Sequence, residues 1–364
     1  MASSKKGTKR SSLDMLIQAI VPPRQIALLP GDSFGQKLFC NLWLGLFCEF
    51  VENCVLVLPK GCSTDADYFA ALSGWPPKYQ KRAFELITML RLQHRFVQAD
   101  TETPLPLVSE SCGANWCAPF LCAFKKDSGR FLLTDADCIE CADVKPLASR
   151  AFETIEYFCS DFARQRRARI AYVLGDAQWT KADFARNVLA PVFKTAKHVK
   201  IFDRWIGRSI LDRRYGRVRF GANYKRTLEW VVEAFRDAGG ACRGGIFEIY
   251  CGIEGASLSA SQRVQIRSEI ATLEMTLSAV ARISVRFILK EESDYAKCPH
   301  GRYLVTDQIA LLIDRGFDLL WDDEKMRAAR LNPAHDPRPI RDVAVILCGD
   351  CSSVESQTIR LPAF

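Results

Sequence analysis

Strand-like and helix-like runs alternate regularly along residues 151–347, and nothing else in the chain restricts the fold so tightly. Phe152 to Arg167 reads as a helix, Ile170 to Leu174 as a strand, and Lys181 to Ala196 as a helix with one apolar face, which Pro191 should either kink or split into a second short helix. Val199 to Phe202 follows as a strand ending at Asp203. Then come a helix at Tyr224 to Phe235 stopped by Gly239-Gly240, a strand at Ile246 to Cys251, a helix at about Gln262 to Ala279 and a strand at Ile283 to Leu289. Three further strands are expected at Tyr303 to Thr306, Ile309 to Ile313 and Val343 to Leu347. Such alternation predicts an α/β domain, a sheet with helices on its faces.

The first part of the chain is less regular. Residues 1–11 read as a basic disordered tail, 12–21 as a short helix stopped by Pro22-Pro23, and Gln25 to Leu29 as a strand. Phe34 to Asn53 reads as a buried helix, Cys54 to Leu58 as a strand, and Lys81 to Leu92 as a helix. Residues 101–150 are rich in Pro, Ser, Asp and Cys and look loop-like, with a short strand at Arg130 to Leu133. This change in texture places a domain boundary near residue 145, giving a tail, a smaller α/β domain over 12–145 and a second domain over 146–364. A chain of 364 residues also suits two cores, since single cores rarely grow past about 250–300 residues. No internal repeat relates the two halves.

The apolar stretch Leu38 to Leu58 contains Asn41, Glu49, Glu52 and Asn53, which suits a buried helix and strand better than a membrane span. The polar, basic opening lacks the apolar core of an export signal, so the 15 cysteines read as thiols in a reducing cytoplasm. The expectation is a cytoplasmic protein with no membrane association. A net charge of +8 allows an anionic partner without requiring one.

The segment His300-Gly301-Arg302-Tyr303-Leu304-Val305-Thr306-Asp307 carries the chemistry. In a strand, residues two apart share a side, so His300 and Arg302 are expected to face one pocket. An imidazole serves as nucleophile or general acid–base near neutral pH, and a guanidinium fork fits two phosphate oxygens. Together they suit a phosphodiester.

This spacing resembles the phospholipase D superfamily motif of histidine, any residue, lysine, four residues and aspartate, with His300, Arg302 and Asp307 on those positions. The pieces VKIFDRWIG, NYKRTLEWVVEAF, HGRYLVTDQ and DRGFDLL are similar to a branch in which arginine replaces the lysine. That branch includes the C-terminal domain of microtubule-interacting-and-transport-domain proteins and phospholipase D-like proteins of prokaryotes. The likeness spans about residues 165–350. It implies a phospholipase D-like mixed sheet flanked by helices, and a metal-independent mechanism without cofactor. His300 would attack phosphorus, a second histidine would protonate the leaving oxygen, Arg302 would hold the phosphoryl oxygens, and Asp307 would orient its neighbours. Family members with one motif dimerise to bring two histidines together. Here the family's downstream Gly-Ser and Asn are absent, and Gly316-Phe317-Asp318 stands roughly there. His198-Val199-Lys200 imitates the start of a second motif, but no aspartate follows at the required spacing.

Between strand and helix lies a loop dense in arginine. Arg204, Arg208, Arg213, Arg214 and Arg217, with Lys225 just beyond, are interleaved with Trp205, Tyr215, Phe220 and Tyr224. Guanidinium groups with interspersed rings suit nucleic acid, although a solvated surface has the same composition. Of Cys112, Cys117, Cys122, Cys138 and Cys141, only the last two have tight ligand spacing, so no metal site is assigned. Cys348 and Cys351 share that spacing at a strand end without a second pair nearby. Gly31 to Lys37 falls short of a phosphate loop by one residue and has Leu38 where a magnesium-binding hydroxyl belongs.

The leading expectation is a phosphodiesterase or nuclease acting on DNA or RNA in prokaryotic antiviral defence, as a homodimer or within a multi-protein complex. The alternative is an inactive phospholipase D-like module in which His300 and Arg302 hold a phosphate-bearing ligand, nucleic acid or a protein partner without turnover.

Overall fold

The structure is a computed structural model. It describes residues 16–28, 31–58, 65–98, 130–134, 150–167, 171–174, 179–212, 217–332, 338–348 and 351–364. The chain is mixed α/β, built on one parallel and one mixed sheet.

The first sheet has the order β3-β2-β1-β4-β5. Its strands are β1 (Ile17–Ile20), β2 (Cys54–Leu58), β3 (Phe96–Gln98), β4 (Arg130–Thr134) and β5 (Ala151–Glu153), all parallel. Helices α1 (Ser33–Asn53), α2 (Asp65–Ala71) and α3 (Pro77–Leu92) connect the first three strands. β1 lies in the segment expected to be helical. Ile17, Ala19 and Ile20 are wholly buried and Gln18 nearly so, because a central strand of a parallel sheet is covered on both faces. A short apolar run buried all round has no period to separate strand from helix. The strand expected at Gln25 to Leu29 is instead a 3-10 turn at Pro23–Ile26, entered through Pro22-Pro23.

The helix expected over Phe152 to Arg167 is divided. β5 leads into α4 (Thr154–Cys159), and α5 (Asp161–Arg167) restarts after Ser160, whose hydroxyl accepts from Ala163 N–H at 3.1 Å. Tyr157 and Phe162 pack on Phe131 of β4, and Phe152 packs on both of them. The first sheet therefore continues past residue 145, where composition alone sets the boundary.

The second sheet has the order β11-β10-β7-β12-β13-β14-β6. It is formed by β6 (Ala171–Leu174), β7 (His198–Phe202), β10 (Ile246–Glu254), β11 (Ser284–Glu292), β12 (Tyr303–Thr306), β13 (Ala310–Ile313) and β14 (Val343–Cys348). β7, β10 and β11 run parallel, and each later neighbour is antiparallel. A small hairpin, β8 (Leu211–Asp212) with β9 (Arg217–Val218), lies in the arginine loop.

One face of this sheet buries Val199, Ile201, Phe247, Ile249, Val285, Phe287, Leu304 and Leu311. Helices cover it. α6 (Lys181–Phe184) passes through a π-helical turn (Ala185–Leu189) into α7 (Ala190–Phe193). Pro191 has no N–H and crowds the preceding turn; Ala190 N–H bonds Ala185 O, and the widened turn absorbs the conflict without ending the helix. α9 (Ala222–Asp237) and α10 (Ala260–Ala281) complete that layer. Ser259 and Gln262 cap the start of α10 reciprocally. On the other face, Phe202 and Tyr250 pack under Val354 of α12 (Ser352–Ile359). α8 (Arg204–Arg208) and α11 (Asp323–Ala328) complete the described helices.

Among the described residues no helix is long and apolar enough to cross a membrane. The Cys112 to Cys141 group, Arg213 and Arg214 lie outside the described residues.

Candidate phosphate-directed site

β7 ends opposite Tyr250, β10 and β11 run four residues further, and β12 starts beside β7, because it is antiparallel to it with Tyr303 opposite Phe202. This edge of the sheet gathers Asp203, Glu254, Glu292, His300 and Arg302 from separate parts of the chain. α8 springs from β7 at Asp203, whose carboxylate caps it by accepting from Trp205 N–H at 2.9 Å. The helix then lies on the backbone of β10. A Cβ on Gly207 would meet the Gly252 carbonyl oxygen at 2.3 Å, so only glycine permits this approach.

Glu292 organises the corner. Its buried carboxylate accepts from Arg204 Nη2 at 3.1 Å, from Arg208 Nε at 3.2 Å and Nη2 at 3.1 Å, and from Cys298 N–H at 2.8 Å. Arg208 also pairs with Glu254. The Cys298 bond fastens the loop that delivers His300. The His300 ring is exposed and meets Trp205 edge-to-face at 6.2 Å between centroids. Arg208 lies over the same indole at 5.0 Å. Burial first, then the nearby Glu292 charge, pushes the Cys298 thiol up to about 12.

Arg302 precedes β12. Its Nη1 donates to the Asp314 carbonyl, and its backbone carbonyl accepts from Ile313 N–H at 2.8 Å. The turn Asp314-Arg315-Gly316 closes around it. Gly316 has φ +74°, and a Cβ there would meet Asp203 Oδ2 at 2.3 Å and Arg302 Cδ at 2.4 Å. Phe317 N–H donates to Asp203 Oδ2 at 3.0 Å, and Asp318 pairs with Arg341 at 3.0 Å.

Asp203 is 1% exposed. Burial raises its carboxyl to about 6, against the opposing pull of the Phe317 and Trp205 N–H groups and Arg302. A carboxyl raised above its unfolded value of 3.8 adds stability that is full below that value and is lost as pH rises through about 6. The difference is worth about 3 kcal/mol. Asp203→Asn should remove this dependence: its stability relative to the natural protein should improve by about that amount between pH 4 and pH 7. Urea unfolding at both pH values reads the difference, and parallel pH curves for the two proteins would contradict it.

Asp307 is not at this corner. It follows β12, so the four strand residues, at about 3.3 Å each, separate it from Arg302. Its carboxylate accepts from Lys197 N–H at 3.1 Å, and its own N–H donates to His198 O at 3.1 Å. There it anchors the start of β7. His300 and Arg302 both precede β12, so the strand alternation expected of them does not apply; they lie toward one end of the strand, while Asp307 holds the other. His198 also stands at that far end, paired with Glu248 at 2.9 Å.

The basic residues of the arginine loop divide. Arg204 is 7% exposed, and its ion pair with Glu292, like those of Arg208 with Glu292 and Glu254, places both in the frame of the corner rather than on an open surface. Lys225 is exposed in the first turn of α9. Arg217 lies in β9, and the position of its side chain lies outside the described residues. Asp203 and Glu292 were not singled out as site residues by sequence reasoning, which noted Trp205 only as a ring of the arginine loop and Gly316 only as standing where the family's Gly-Ser would be. Asp203 does carry one signal, an acidic residue closing an apolar run.

Among the described residues no cluster of three or more His, Cys, Asp or Glu side chains could hold a metal. No family model matches the chain, and no curated protein matches it. Among solved structures, the crystal structure of polyphosphate kinase from Porphyromonas gingivalis is similar at 10% identity and a TM-score of 0.26. The match covers 63% of this chain and 35% of that one, so the chain spans about a third of the kinase's length.

Proposed function

We propose that the corner formed by His300, Arg302 and Trp205 is a phosphate-binding site of phospholipase D-like type whose ligand is the phosphodiester backbone of nucleic acid. One observation carries this reading. Arg302 Nε, Trp205 Nε1 and Arg204 Nε are buried N–H donors with no acceptor among the described residues, within one corner around an exposed histidine. Buried donors favour a ligand rich in acceptor oxygens. The exposed Lys225, Lys297 and Arg315 suit a polyanion extending beyond the site. A prokaryotic defence setting is the context that the sequence resemblance suggests.

In the hydrolytic form of this reading, His300 attacks phosphorus and Arg302 stabilises the charge that builds on the phosphoryl oxygens. Protonating the leaving oxygen takes a second histidine. Among the described residues the other histidines, His198 and His94, are tied into the opposite end of the sheet, where the His94 carbonyl accepts from Gln308; His335 lies outside the described residues. A second copy of the chain would supply the partner, by presenting its own His300. The position of His198 and His94 favours a second reading, a module that binds phosphate without cleaving it.

Incubation with single- and double-stranded DNA and RNA in EDTA separates the two. Hydrolysis predicts metal-free cleavage that His300→Ala reduces at least on the order of a thousandfold. Arg302→Ala should weaken binding by roughly 10- to 100-fold, since a hydrogen bond to a charged group contributes about 1.5–3 kcal/mol. No cleavage with binding lost in Arg302→Ala selects the binding module. Binding unchanged in both variants would remove the phosphate site altogether.

A further inference from the structure

Beside the unpartnered donors of the corner stands an unpartnered acceptor, and it is anionic. Asp318 follows the turn that closes on Arg302, two residues beyond Gly316 and one beyond Phe317, whose N–H donates to Asp203 Oδ2 at 3.0 Å. Phe317 is wholly buried in the core of the second sheet, which fixes the chain on either side of it. Asp318 Oδ2 pairs with Arg341 Nη1 at 3.0 Å. Its Oδ1 is buried with no hydrogen-bond partner among the described residues, although the side chain as a whole is 26% exposed. Arg341 also meets Asp322 at 3.3 Å, so one guanidinium is shared between two carboxylates. Tyr224, in the first turn of α9, stands beside the same groups: burial first, then the Asp203 and Asp318 charges, push its phenol up.

A bare carboxylate oxygen is out of place in a corner that takes phosphate alone. A phosphodiester is an anion whose backbone oxygens only accept, and like charges repel more strongly where water is scarce. Such an oxygen is satisfied when the ligand brings a donor. The internal backbone of DNA has none, because its phosphoryl, bridging and ring oxygens are all acceptors. RNA has one on every nucleotide, the 2′-hydroxyl, on the sugar carbon next to the one that carries the 3′-phosphate. Arg302 Nε and Asp318 Oδ1 are therefore a matched donor and acceptor, both close to Gly316, Arg302 through space and Asp318 along the chain. The second torsion of an aspartate is soft, so Oδ1 can turn outward while Oδ2 stays on Arg341.

We propose that the ligand of the corner is RNA rather than DNA, with Asp318 as the residue that determines this specificity. Arg302 holds the phosphoryl oxygens, and Asp318 accepts from the 2′-hydroxyl of the adjoining ribose. The inference rests on the phosphate reading above and names its ligand. One carboxylate discriminates in two ways: RNA gives it a charge-assisted hydrogen bond, and DNA leaves it facing phosphate unpartnered.

The test uses the full chain in EDTA and short single strands of one sequence, with uracil in place of thymine throughout, as RNA, as DNA and as 2′-fluoro RNA. The fluorine keeps the ribose pucker and removes the donor. RNA should bind about 10- to 100-fold more tightly than either of the others, the range for a hydrogen bond to a charged group. In Asp318→Ala, shown to be folded by circular dichroism, that preference should vanish. Equal binding of all the strands by the natural protein would overturn the proposal, whether or not the variant folds. So would 2′-fluoro RNA that binds as tightly as RNA, because sugar shape would then be what is read, or a preference that persists in the folded variant. Binding of no strand would overturn the phosphate reading together with this inference. Equal binding that Arg302→Ala still weakens would remove the role of Asp318 alone and leave the phosphate reading in place.

Discussion

Replacing Glu292 with alanine is expected to lower folding stability by about 3–5 kcal/mol. The carboxylate is fully buried and holds Arg204, Arg208 and the Cys298 N–H at once. Removing it leaves Arg204 buried without its Glu292 ion pair, while Arg208 keeps Glu254. Desolvating a charge costs several kcal/mol, and the lost attraction no longer offsets it. Glu292→Gln keeps an acceptor for Cys298 N–H but not the charge, so it should fall between the two. Urea unfolding measures the loss. A change under about 1 kcal/mol for the alanine variant would mean that water reaches these arginines and that the corner is not the closed frame described above. The effect should extend to function, because the Cys298 bond positions the loop carrying His300.

Gly316→Ala is the second large effect, expected at about 2–5 kcal/mol together with loss of phosphate binding. The left-handed backbone alone costs an L-residue roughly 1–2 kcal/mol, and φ here is +74°. The added methyl would also overlap Asp203 Oδ2 and Arg302 Cδ, and overpacking typically costs about 1–3 kcal/mol more. Neither contact can yield freely. Asp203 is held by two backbone N–H groups, and Arg302 is pinned to the Asp314 carbonyl. Combined unfolding and ligand titration reads both effects. Full stability with full phosphate binding would show that the turn at Gly316 does not shape the site.

Much of the second sheet was legible because its strands and helices are long and periodic. Ile266, Ile270, Leu273 and Leu277 mark one face of α10, and all four are buried. β1 was not legible, since residues buried on every side carry no period, and a strand and a helix present the same apolar run. The division at Ser160 depends on one hydroxyl bonding a backbone N–H, a local choice that composition does not display.

The candidate site shows the same division. The sequence by itself determined that His300 and Arg302 stand two residues apart beside a strand, and that charge and rings are dense around Arg204 to Lys225. Tertiary structure alone decided which groups meet. Asp307, five residues from Arg302, lies at the other end of β12, because an extended strand carries neighbours in sequence apart at about 3.3 Å per residue. Asp203 and Glu292, remote in sequence, reach the corner because β7 and β11 run parallel on either side of β10 toward the same end of the sheet. Arg204 and Arg208, basic by composition, turn inward to Glu292, since a buried carboxylate requires cations and α8 lies close enough to provide them. Residue types and local spacing are written in the chain; register, burial and the pairing of charges exist only once the sheet has formed.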